Sequence, residues 1–113
     1  MKSDLLYLEH IIDRAAAVQR YFAAGKDGFM RERMVQDAVI RNFEIIGEAA
    51  GHLSLERESS APQLSRKIIA FRNRLSHVYR GIDLLLVSDV VQNDLGALKA
   101  EAERRLGDLG SET

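Results

Sequence analysis

Apolar residues recur every three or four positions along most of the chain, which is the periodicity of amphipathic helices. The alternation typical of strands is nearly absent, and proline occurs once, at Pro62. The pattern predicts four helices: one from an N-cap at Ser3 to about 25–28, one over about 29–50, one from about 63 through 79, and one from an N-cap at Asp83 to a frayed tail at about 107–113. Short connections imply antiparallel neighbours, so we expect an all-α, up-and-down four-helix bundle in a single domain, 1–113.

The same periodicity predicts which side chains face the core. Gly51 and Gly81 are expected to end the second and third helices. The expected inward positions are Leu5, Leu8, Ile12, Ala15, Ala16 and Phe22 in the first helix, Met34, Val35, Ala38, Ile45, Ile46 and Ala49 in the second, Leu64, Ile68, Phe71 and Leu75 in the third, and Leu84, Val91, Leu95, Leu98, Ala102 and Leu106 in the fourth.

Composition narrows the class of protein further. No apolar run approaches the roughly 18 residues of a membrane span, and the N-terminal MKSDLLYLEH lacks the features of a signal peptide. The chain has no cysteine, which excludes disulfides and thiolate metal ligands and fits a reducing compartment. We therefore expect a cytoplasmic protein. Because there is also no acidic pair at metal-ligand spacing, a metal mechanism has no obvious site, and no cofactor is expected.

Charge is distributed unevenly, although the net charge is only −1. Residues 59–82 contain no Asp or Glu, and five basic residues fall there: Arg66, Lys67, Arg72, Arg74 and Arg80. This segment is interpreted either as an anion or phosphate site or as a solvated helix face, and composition does not separate the two.

Four polar side chains are concentrated within that segment, in RNRLSHVYRGID: Arg72, Asn73, His77 and Tyr79. Asn73 and His77 are four residues apart and share one helix face, whereas Arg72 and Tyr79 share another, roughly 140° away. A single straight helix does not gather all four. Unwinding before Gly81, or a second chain in a symmetric dimer, would bring them together.

The chemistry of this set suits RNA cleavage without a metal. The imidazole of His77 exchanges protons near neutral pH, and the guanidinium of Arg72 stabilises charge on a phosphoryl transition state. Asn73 orients an imidazole or holds a ligand oxygen, and Tyr79 stacks or donates a hydrogen bond. The competing interpretation is structural: a histidine near a helix C-terminus caps the helix dipole, and Tyr79 closes the core.

The motif resembles the R-x4-6-H signature, in its R-N-x-L-x-H-x-Y form, of the HEPN superfamily, and most closely that of the HepT-like toxins. The segment FEIIGEAAGHLS, then Pro62, then RKIIAFRNRLSHVYRGID follow in the order and spacing of that family, and the resemblance covers about 5–106. Family members often carry Trp near positions 64–65 and 87–88, whereas this chain has Leu64-Ser65 and Val87-Ser88, which we interpret as packing positions.

The resemblance implies a HEPN bundle of four or five helices that forms a homodimer with its motif helices facing across a cleft. It implies the toxin of a type VII-like toxin–antitoxin system, a metal-independent endoribonuclease acting on tRNA or mRNA, with Arg72 and His77 catalytic and Asn73 in support. Its implied partner is an MntA-type nucleotidyltransferase antitoxin that silences the toxin by adding AMP to Tyr79.

Further roles complete the expectation. Arg66, Lys67, Arg74 and Arg80 are expected to contact RNA phosphates, and Glu48 to be the buried acidic partner of an arginine. The alternative is a non-catalytic HEPN module that binds a nucleotide or substrate for a partner nucleotidyltransferase; the intact Arg72–His77 pair favours the nuclease.

Overall fold

Six helical elements make up the part of the chain that is described by the computed structural model, residues 2–53 and 83–111. They are α1 (Lys2–Tyr21), α2 (Gly25–Arg31), α3 (Arg33–Gly51), α4 (Leu84–Val90), a π-helical turn (Val91–Leu95) and α5 (Gly96–Ser111). No strand occurs within these ranges. The all-α bundle predicted from the hydrophobic pattern is confirmed, and α2 is a short helix beyond the four.

The core forms chiefly where α1 packs along α3. The helices are antiparallel, because Tyr7 contacts His52 while Arg14 bonds to Asn42. Each helix contributes one stripe of buried residues at intervals of three and four. The α1 stripe is Leu8, Ile11, Ala15 and Val18, and the α3 stripe is Val39, Phe43, Ile46 and Ala50. Burying such side chains stabilises the fold by about 1.5–3 kcal/mol for each large one.

A second layer is built from α4, the π-helical turn and α5, which continue one another without a break. Its buried hydrophobic residues are Val87, Val90, Leu95, Leu98 and Ala102, and α5 packs on α1. The interval from Val90 to Leu95 is five residues, which in a regular α-helix would rotate the two side chains roughly 140° apart. The wider π-helical turn absorbs the extra residue and keeps both side chains in the core.

Helix boundaries differ from the sequence prediction at three places. The α1 helix begins at Lys2, so Ser3 lies in its first turn rather than at the N-cap, and it ends at Tyr21. Gly25 then adopts φ 78° and opens α2. At the other end of the chain, α5 continues to Ser111, so the residues from 107 to 111 are helical rather than frayed.

The predicted helix over 29–50 is wrong in its first turn. It is divided at Glu32, which is extended (φ −111°, ψ 104°) between α2 and α3. The break lets Phe29 turn inward against Phe22, with ring centroids 5.4 Å apart, and Gln36 donates a hydrogen bond to the Phe29 carbonyl at 2.9 Å. Because the helix restarts after Glu32, Met34 is 83% exposed instead of facing the core.

The N-cap predicted at Asp83 is confirmed. Its Oδ1 accepts hydrogen bonds from the backbone N–H groups of Leu85 and Leu86, at 3.1 and 3.2 Å. The helix predicted from about 63, its apolar stripe and the stop at Gly81 lie outside the described residues.

No helix in the described ranges is both long enough and apolar enough to cross a membrane. The expected cytoplasmic location stays a prediction.

Candidate functional site

The residues predicted to cleave RNA lie outside the described part of the chain. This applies to the four motif residues and to the four basic residues expected at phosphates, which are Arg66, Lys67, Arg72, Asn73, Arg74, His77, Tyr79 and Arg80. Their assignment continues to depend on the sequence. Among the predicted site residues, the structure describes Glu48.

Glu48 is exposed near the C-terminal end of α3. The prediction that it is a buried partner for an arginine is therefore wrong as regards burial. The inward positions of α3 are taken by Ile46, Ala49 and Ala50, and the helical rotation leaves Glu48 at the solvent edge of the groove between α3 and α1.

That groove holds a pocket of about 340 Å³, which we call the Tyr7–His52 pocket. Its lining residues are Tyr7, His10, Ile45, Glu48, Ala49 and His52. Its volume is at the lower end of the range of about 300–1,000 Å³ that is typical of small-molecule sites.

Helical spacing explains how the sequence brings these side chains to one place. Tyr7 and His10 are three residues apart and share a face of α1. The α3 residues follow at intervals of three, one and three, which is one face of a helix over two turns: Ile45, Glu48, Ala49 and His52. Antiparallel packing then sets the first turns of α1 against the last turns of α3.

The pocket has an apolar base and a polar rim. Ala49 is buried and Ile45 is half-buried, whereas His10, Glu48 and His52 are exposed. The ring of Tyr7 stacks on the imidazole of His52, with centroids 4.9 Å apart and planes inclined by 16°. Such a site offers a planar stacking surface beside hydrogen-bonding groups of three kinds: imidazole, carboxylate and phenol.

The position of His52 is fixed by the end of α3. It is the C-cap residue, and its backbone N–H donates to the Ala49 carbonyl at 3.1 Å. The following residue, Leu53, is buried and anchors the chain at this point. The imidazole is therefore held at the end of the helix, where it reaches Tyr7.

The three titratable side chains of the rim do not form a metal site. Among the described residues, no group of three or more His, Cys, Asp or Glu side chains is placed to hold a metal ion. The stacked rings of Tyr7 and His52 instead suit the pocket to a planar organic ring.

Tyr7, His10 and His52 are not among the site residues predicted from the sequence. The available signal was the pair of helical spacings, His10 after Tyr7 and His52 after Glu48, each of which places two functional side chains on one face. The sequence gives no indication that these two helix faces contact each other.

Comparison with known proteins finds relatives that carry ribonuclease names. The chain is 35% identical over 112 residues to a Methanocaldococcus jannaschii protein named "gamma-glutamylcyclotransferase and putative RNase", a match that covers 96% of this chain and 50% of that protein. It is 29% identical over 100 residues to a "probable ribonuclease HepT" of Thermococcus cleftensis, covering 87% of this chain and 91% of the relative. The chain thus spans about half the length of the first relative and most of the second. No solved structure matches it significantly.

The family model described as ribonuclease HepT-like matches residues 11–105, which include α3, the RNRLSHVYRGID motif and most of α5. With a match over most of its length and relatives that carry ribonuclease names, the chain belongs to the ribonuclease HepT-like family.

Proposed function

We propose that this protein is a metal-independent endoribonuclease that acts as the toxin of a toxin–antitoxin pair. The observation that carries the proposal is the pair Arg72 and His77 at R-x4-H spacing in a chain that belongs to the ribonuclease HepT-like family. The names of two relatives, which include ribonuclease or RNase, support the same activity.

The proposed reaction is an attack of the RNA 2′-oxygen on the adjacent phosphorus. His77 exchanges the proton, either taking it from the 2′-OH or giving it to the leaving 5′-oxygen. The guanidinium of Arg72 stabilises the negative charge that develops on the phosphoryl oxygens. A cyclic 2′,3′-phosphate and a 5′-hydroxyl are the products, and no metal or cofactor takes part.

Residues around this pair would support it. Asn73 precedes His77 by four residues, so in the predicted helix it would share a face with His77 and orient its imidazole by a hydrogen bond. The surrounding segment, 59–82, has no acidic residue, and Arg66, Lys67, Arg74 and Arg80 contact RNA phosphates there. A homodimer would add a second copy of the motif to the cleft.

A cleavage assay in EDTA tests the proposal. Purified wild-type protein should cleave tRNA or mRNA with the chelator present, and Arg72→Ala and His77→Ala should each abolish cleavage while the helical circular dichroism stays intact. Arg33→Ala is the matched control, because this arginine is exposed on α3, and it should cleave as wild type does. Cleavage that survives His77→Ala would remove that residue from the mechanism.

A growth assay separates the nuclease from a non-catalytic binding module. A toxin should arrest growth when it is induced alone, and co-expression of the partner nucleotidyltransferase should restore growth. A module that only binds a nucleotide would be harmless on induction and inactive on RNA.

A further inference from the structure

The Tyr7–His52 pocket is composed of side chains to which the proposed cleavage chemistry gives no role. Its residues come from α1 and the end of α3, outside the motif segment 72–83. Three observations in one place point to a ligand: a pocket of about 340 Å³, a stacked pair of rings, and exposed hydrogen-bonding groups around it. Core packing accounts for Ala49 and Tyr7 but not for the exposed His10, Glu48 and His52.

We propose that this pocket binds one unpaired base of the RNA substrate, with guanine preferred; the inference rests on the proposed ribonuclease function. Proteins that read single-stranded RNA stack its bases on aromatic rings and hydrogen-bond to their edges. The Tyr7–His52 stack provides a flat surface at the pocket, and a base placed on it would extend an existing stack by one ring.

The preference for guanine follows from the carboxylate of Glu48. An ionised carboxylate accepts hydrogen bonds and donates none. The Watson–Crick edge of guanine presents two adjacent donors, N1–H and N2–H, which a carboxylate accepts together. Adenine and cytosine present one amino group there, flanked by acceptors that a carboxylate repels, and uracil presents one N–H between two carbonyls.

His10 and His52 frame the base from two sides. His10 lies on the α1 face beside Tyr7, and His52 follows Glu48 by four residues at the C-cap of α3. A ring nitrogen of either histidine donates to the O6 of guanine or to a neighbouring phosphate. The pocket would therefore hold one nucleotide of a bound RNA strand by its base.

Binding of RNA analogues that resist cleavage tests the proposal without relying on nuclease activity. The probes are fluorescent 2′-O-methyl oligonucleotides that carry a single G, A, C or U in an otherwise identical abasic strand, measured by anisotropy at fixed salt. We expect the guanine probe to bind most tightly and the uracil probe least. His52→Ala and Tyr7→Ala should weaken guanine binding by roughly tenfold.

Conservative and matched variants keep the test specific. Tyr7→Phe retains the stacking ring and should restore most of the affinity that Tyr7→Ala loses, and circular dichroism of both variants checks their folding. Glu48→Gln should reduce the preference for guanine over uracil. Glu44→Gln, one turn earlier on the exposed side of α3, should leave the preference unchanged. Tyr21→Ala, an exposed tyrosine at the far end of α1, should also bind normally.

The outcomes separate this proposal from the ribonuclease assignment. Equal binding of all four probes, or identical affinities for wild type and His52→Ala, would overturn the base pocket even if the protein cleaves RNA. Base-dependent binding that the pocket variants remove, in a protein that does not cut unmodified RNA, would support the pocket and overturn the nuclease. Free GMP that binds as tightly as the guanine probe would show a mononucleotide site and overturn the RNA interpretation.

Discussion

Arg14 on α1 donates a hydrogen bond from Nη1 to the Oδ1 of Asn42 on α3, at 3.3 Å. Asn42 is buried, and its own amide nitrogen donates to the Ala38 carbonyl at 2.7 Å. Both ends of one amide inside the α1–α3 interface are thus satisfied, which is the condition for a polar group to be tolerated there. Arg14 also pairs with Asp13, and that hydrogen bond and the positive charge lower the pKa of the exposed Asp13 carboxyl.

Removing the guanidinium should therefore cost stability. Arg14→Met keeps the aliphatic stem but leaves the Asn42 oxygen without its donor, and we expect a loss of about 1 kcal/mol in the free energy of unfolding, the lower part of the usual range because water reaches the site. Urea denaturation measures it. Arg33→Met is the matched control: its guanidinium is 90% exposed and 4.0 Å from Asp37, so the loss should be near zero. Equal losses in the two variants would contradict the interhelical role.

The cap at Asp83 gives a second stability prediction. Its carboxylate satisfies two backbone N–H groups at the start of α4, so Asp83→Ala should lower the free energy of unfolding by about 1 kcal/mol. Asp83→Asn and Asp83→Ser retain an acceptor and should keep most of the stability. If all three substitutions cost the same, the carboxylate contributes by charge or by some other contact and not as a cap.

Asp83 also shows how far the sequence predicts this fold. Signals confined to a few neighbouring residues are reliable here: the cap at Asp83 is confirmed, and helical periodicity correctly buries Leu8 of α1 and Ile46 of α3. The expected inward positions of α3 are wrong at Met34, which faces solvent, and they omit the buried Val39 and Phe43. The break at Glu32 was missed because its cause is tertiary, the burial of Phe29 against Phe22. The π-helical turn was missed because its cause is the shared core, to which both Val90 and Leu95 contribute.

The two candidate sites also differ in how far the sequence predicts them. The proposed catalytic motif is contiguous in the chain, so the sequence alone gives the spacing of Arg72 and His77. The Tyr7–His52 pocket combines residues that are 45 positions apart in the chain, and hydrophobic periodicity assigns each to a helix face without stating which faces meet. Predicting the pocket therefore requires the packing of α1 on α3.

Ser88 offers a substitution that should raise stability. The residue is 1% exposed on α4, and among the described residues its Oγ has no hydrogen-bond partner. Removing a buried unsatisfied hydroxyl recovers its desolvation cost, and alanine is the better helix former. Ser88→Ala should therefore raise the free energy of unfolding by up to about 1 kcal/mol. The neighbouring Val87→Ala, which deletes two buried methyl groups, should lower it by about 2 kcal/mol in the same thermal or urea experiment. A stability loss in Ser88→Ala would mean that the hydroxyl has a partner in solution.

Control of the proposed toxin by its antitoxin leads to a prediction about Tyr79. In the proposed modification the phenolic oxygen of Tyr79 attacks the α-phosphorus of ATP, a Tyr–O–P bond forms, and pyrophosphate leaves with the phenolic proton going to solvent. Incubation with ATP and the cognate nucleotidyltransferase should add the mass of one AMP group to wild type and to Tyr21→Phe, whose tyrosine is exposed on α1, but none to Tyr79→Phe. The adduct should also abolish RNA cleavage. Tyr79 follows His77 by two residues in the sequence, and the phosphate of the adduct would compete with the RNA phosphate for Arg72. Intact-mass spectrometry and the EDTA cleavage assay on the same sample check both parts. An unchanged mass, or a modified protein that still cuts RNA, would contradict silencing through this tyrosine.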